Sequence, residues 1–105
     1  IHVSDLVNAF LIAGLNKKVN GMTLNIGSSE TLKFIDVCKI IQNEIFNFKN
    51  KKIKILSSKW PEKNKLINKR KYVLSSNKFK KLTHWEDKIK IINGIKSTVV
   101  SFQKK

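Results

Sequence analysis

A chain of 105 residues with 41% hydrophobic side chains has room for one domain and enough apolar surface to close a core, so wholesale disorder is excluded. Four Gly and one Pro exclude collagen-like repeats, the single Cys excludes an intrachain disulfide, and no apolar run reaches the roughly 20 residues that cross a bilayer. The formal charge is +15, from 22 Lys and Arg against 7 Asp and Glu, yet 21 of the 22 are Lys.

In chain order, Ile1–Val3 reads as the end of a strand, with Ser4 as N-cap and Asp5 in the positive first turn of a helix running to about Leu15. Leu6, Val7, Phe10, Leu11, Ala13 and Leu15 make a wide apolar stripe, suited to packing against a sheet. Asn20-Gly21 is a turn signal, and Met22, Leu24 and Ile26 then alternate with Thr23 and Asn25 at the period of a half-buried strand. After Gly27-Ser28-Ser29 a second helix is predicted from Leu32 or Lys33 to Phe46, with Phe34, Val37, Cys38, Ile41 and Ile45 on one face. Cys38 lies in that stripe as a small core residue rather than a nucleophile.

A strand at Ile53–Leu56 follows, then a polar loop over 57–71 around Trp60-Pro61, and a short extended run at Tyr72-Val73-Leu74. Ser75 or Ser76 caps a short helix through Leu82, Trp85 closes the next turn, and Ile92, Ile95, Val99 and Phe102 mark a final amphipathic helix. Strands separated by helices predict an α/β fold built from crossover units, within a single domain over 1–105.

Charge is unevenly spread. Residues 1–48 balance four Lys with four acidic groups, whereas residues 49–81 hold thirteen basic groups against Glu62 alone. Such a block attracts phosphate, whether of a nucleotide or of a polynucleotide. Nucleic-acid readers, however, favour Arg forks and interleaved aromatic platforms, and here there is one Arg, with Trp60, Tyr72 and Phe79 the aromatics of the block. A small basic nucleic-acid module is therefore the second reading. No Gly-rich dinucleotide loop, P-loop, zinc-protease motif or paired-Cys spacing occurs. His2 and His84 lie far apart, with no acidic cluster near either, so no metal site is expected, and no residue stands out as catalytic.

The order of the motifs carries more than any one of them. Ile1-His2-Val3-Ser4-Asp5-Leu6-Val7-Asn8-Ala9, then Leu24-Asn25-Ile26-Gly27-Ser28-Ser29-Glu30, then Lys78-Phe79-Lys80-Lys81-Leu82-Thr83-His84-Trp85 and Gly94-Ile95-Lys96-Ser97-Thr98-Val99 succeed one another. This series resembles the C-terminal third of the extended short-chain dehydrogenase/reductases, the NAD-dependent nucleotide-sugar epimerases and dehydratases. The sequence departs from the family pattern at Ser29, where Gly is usual, at His84, where Gly precedes Trp, and at Asp87, where Pro is usual. Ser75 and Ser76 stand where the family commonly has Asp.

The resemblance implies a substrate-side portion that holds a nucleotide sugar against an N-terminal Rossmann domain. In the parent enzyme that domain would bind NAD or NADP and carry the Tyr-x-x-x-Lys pair. Neither that pair nor the Gly-rich loop is in this sequence, so the chain alone is expected to be inactive and to hold no cofactor. The first residue, Ile1, and the extended run it opens also fit a piece of a longer polypeptide. Arg70 is the first candidate for the substrate diphosphate, because its fork grips two oxygens, with Lys69 beside it and Trp60 at the base or sugar. A cytoplasmic location, no membrane contact and a homodimeric parent complete the expectations. The third reading is a non-catalytic interaction domain derived from the enzyme fold.

Overall fold

His2, not Ser4, begins the first helix. Its backbone is extended and its Nδ1 accepts a hydrogen bond from the Ser4 amide at 3.2 Å, satisfying one of the free donors of the first turn. The predicted strand end at Ile1–Val3 is thereby replaced by the start of α1, Val3–Leu15. The computed structural model to which this helix belongs describes residues 1–59 and 74–102.

One face of α1 turns inward, with Asp5 and Ala9 buried and Ile12 and Ala13 packed on the core. The other face presents Val3, Val7, Phe10, Leu11 and Leu15 to solvent. Asn16 then caps a 3₁₀ turn over Lys17–Val19 by accepting from the Lys18 amide at 3.0 Å. The turn predicted at Asn20-Gly21 is present, with Gly21 at φ +72°. The second helix, α2, spans Phe34–Lys49, three residues past the predicted end, and stops where Asn50 takes a left-handed conformation. α3 covers Asn77–Thr83 and α4 covers Ile91–Ser101.

The expected α/β arrangement is not what forms. Among the described residues the architecture is helical, with no strand. The segments predicted as strands at Met22–Ile26 and Ile53–Leu56 show why. Leu24 and Ile26 are half-buried while Thr23 and Asn25 are exposed, and Ile53 and Ile55 are half-buried while Lys54 and Leu56 are exposed. Alternation correctly reports extended backbone with one side against the protein, but a strand also requires a hydrogen-bonded neighbour. The Ile53 carbonyl instead accepts from Gln42 Nε2 at 2.6 Å, so α2 takes the place of a strand partner there. The predicted run at Tyr72-Val73 lies outside the described residues.

The core is small. Ala9, Phe79 and Trp85 form its centre, and Ile12, Ala13, Leu24 and Ile26 pack around them. The Phe79 and Trp85 rings meet at 5.6 Å between centroids and 58° between planes, a tilted geometry that matches ring edge to ring face. α3 sits on the 3₁₀ turn, and α2 and α4 pack against each other through half-buried side chains. No residue of α2 is fully buried, so Cys38 is a half-buried member of an interface rather than a core residue.

Candidate functional site

The turn after the extended segment at 22–26 and the segment joining α3 to α4 meet at a hydrogen-bonded cluster. Asp87 is its centre. Its side chain is 6% exposed; Oδ2 accepts from the Ser29 amide at 2.6 Å and from Ser28 Oγ at 3.1 Å. Oδ1 accepts from Ser29 Oγ and from the Lys80 ammonium, the latter at 2.7 Å. Lys80 Nζ also donates to Ser29 Oγ at 2.7 Å and lies 5.6 Å from the Trp85 ring centroid.

Burial alone would raise the Asp87 pKa, but the Lys80 cation and the Ser29 donors outweigh it and hold the carboxyl far below the usual carboxylate range. This decides what the cluster can do. A carboxylate so stabilised is a poor base, and Lys80 is engaged as a charged donor to both partners, so neither takes a proton from Ser29 near neutral pH. The Ser-Lys-Asp grouping is a latch that ties the 28–30 turn to the end of α3.

Further bonds extend it. Ser76 is buried, and its hydroxyl accepts from the Gly27 amide at 2.7 Å while donating to the Gly27 carbonyl at 2.8 Å. Glu30 Oε2 accepts from the Ile91 amide at 2.6 Å, satisfying a free donor at the start of α4. Asp5, expected only to favour the first turn of α1, is buried and accepts from the Ile89 amide at 2.9 Å, 84 residues away in sequence.

Close approach favours glycine at two places. A Cβ on Gly27 would lie 3.0 Å from the Leu74 carbonyl oxygen, and one on Gly94 would lie 2.9 Å from His2 Cδ2. At the end of α3, His84 has φ +57°, a left-handed conformation that favours Gly.

The structure thus brings together Asp5, Gly27, Ser28, Ser29, Glu30, Ser76, Lys80, Trp85, Asp87 and Gly94, all of them in or beside the four sequence motifs. Ser29, Ser76 and Asp87 stood out in the sequence only as departures from a pattern; their mutual bonding had no signal in spacing. The predicted substrate residues Trp60, Lys69 and Arg70 lie outside the described residues. Among the described residues no group of three or more His, Cys, Asp and Glu side chains gathers to hold a metal, and no helix is long and apolar enough to cross a membrane. No protein-family model matches the chain, and no curated protein or solved structure is significantly similar to it.

Proposed function

We propose that the chain is the substrate-binding C-terminal portion of an NAD-dependent nucleotide-sugar epimerase or dehydratase, inactive without the domain that carries NAD or NADP. The observation that supports this most is the coupling of its departures from the family pattern. Ser29 stands where Gly is usual and Asp87 where Pro is usual, and these two residues are bonded to each other. Where the pattern has Gly before Trp, His84 occupies a left-handed position that suits Gly; Gly27 and Gly94, which keep the pattern's glycines, are two positions where an added Cβ would crowd a neighbour.

The latch holds the start and end of α3 against the 27–30 turn, and α3 closes the basic block at residues 49–81. That block, with Arg70 at the diphosphate, Lys69 beside it and Trp60 at the base or sugar, is the substrate side of the reading. The redox steps belong to the Tyr-x-x-x-Lys domain, which acts with this chain, as a homodimer, in the cytoplasm.

Salt dependence separates this from the nucleic-acid reading. Equilibrium dialysis of the chain with a labelled nucleoside-diphosphate sugar should show saturable binding with a log–log salt slope of about −2 or shallower, since a diphosphate offers few charges. Binding of a single-stranded oligonucleotide that neutralises many phosphates would fall by about 0.7 per contact. Tight oligonucleotide binding with a steep slope, and no retention of the nucleotide sugar, would overturn the proposal.

A further inference from the structure

Between α2, α4 and the first three residues lies an open groove of ≈ 680 Å³. Its walls are branched aliphatic, with Ile41 and Ile45 from α2, Ile95 and Val99 from α4, and Ile1 and Val3 from the N-terminal end of α1. The volume is within the range of small-molecule sites, roughly 300–1,000 Å³. Among the described residues that line it, Lys49 and His2 are the titratable side chains, and none is acidic. His2 already uses Nδ1 to cap α1, which leaves Lys49, in the last turn of α2, as the free cation of this lining.

We infer that this groove binds a free long-chain carboxylate, its alkyl chain along the aliphatic walls and its head group at Lys49. Charge decides among occupants. Among the described lining residues Lys49 is the one Lys or Arg, and beside mainly aliphatic walls it matches one anionic head and one unbranched chain, whereas an acidic helix would present several carboxylates to it. A second copy carrying the same +15 is disfavoured by like-charge repulsion. Apart from Lys49, no residue of the groove belongs to the basic block that the nucleotide-sugar reading uses.

The test is titration of the 105-residue chain, below their micellar concentrations, with saturated fatty acids of increasing length and with the matching alcohols. One molecule should bind per chain. Each pair of added methylenes should tighten binding several-fold, below the ceiling of about fifteenfold for full burial. The carboxylate should bind about fivefold tighter than the alcohol, and Lys49→Ala should abolish that difference while leaving the alcohol unaffected.

Thr98→Trp, at an exposed lining position, should block both ligands with helical circular dichroism unchanged; Ile95→Asp is the second blocking variant, should Thr98→Trp not fold. Binding that does not saturate, or is indifferent to chain length, or survives a folded blocking variant, would refute the inference. So would sedimentation of the ligand-free chain as a dimer that Thr98→Trp dissociates, since a second copy would then fill the groove.

Discussion

Two residues concentrate the local energetics. His84 bears a Cβ in the left-handed region, which costs an L-residue about 1 kcal/mol or more, and its amide closes the last turn of α3 onto the Lys80 carbonyl. His84→Gly should therefore raise stability by about 1 kcal/mol, read as a higher denaturant midpoint at unchanged slope. Asp87 sets an acid limit. Its pKa is depressed by folding, so its stabilisation is complete above the pKa of the unfolded carboxyl, about 4, and declines as pH falls from there. Asp87→Asn should weaken the fold at neutral pH and flatten the dependence of the midpoint on pH below about 4; an equally steep acid limb in the variant would remove Asp87 from that role. The sequence offered His84 and Asp87 only as substitutions in turns. That their side chains answer a backbone conformation and a cation depends on contacts between segments up to 59 residues apart, as in the Ser28–Asp87 bond, which local pattern does not encode.

Helices were the legible elements. The apolar spacings over Leu6–Leu15 and Phe34–Ile45 fall inside α1 and α2, and that of Ile92, Ile95, Val99 and Phe102 fits α4 up to its C-cap, Phe102, because a 3.6-residue period repeated over several turns has few competing readings. Strands were not, for the reason seen at Leu24, Ile26, Ile53 and Ile55: period two marks a segment lying on a surface, and pairing must come from another part of the chain. α3 is the dependent element. Seven residues are too few to hold a helix in water, so it persists by burying Phe79 against Trp85 and Ala9. Phe79→Ala should cost about 3–5 kcal/mol and unfold α3 together with the latch at Lys80. Selective loss of amide protection over 77–83 in hydrogen exchange, with α2 and α4 unaffected, is the expected pattern; uniform loss would mean one cooperative unit.

At the scale of the molecule, the described residues bury few apolar side chains completely and leave many in the open. Phe10, Leu11, Leu15 and Phe34 are all more than half exposed. Under the proposed function these side chains would pack against the NAD-carrying domain. The charge has the opposite distribution, concentrated in the stretch that includes Lys69, Arg70 and Lys71. The latch that frames α3 was legible only as a set of exceptions, and the diphosphate candidates, read from the charge block, lie outside the described residues. Binding of a nucleoside-diphosphate sugar by the chain and by Arg70→Ala tests the central claim most directly. The account predicts saturable binding that weakens at least tenfold in the variant, the loss of one charge-assisted bidentate contact. Equal affinity of the two proteins for the nucleotide sugar, or binding by neither, would contradict it.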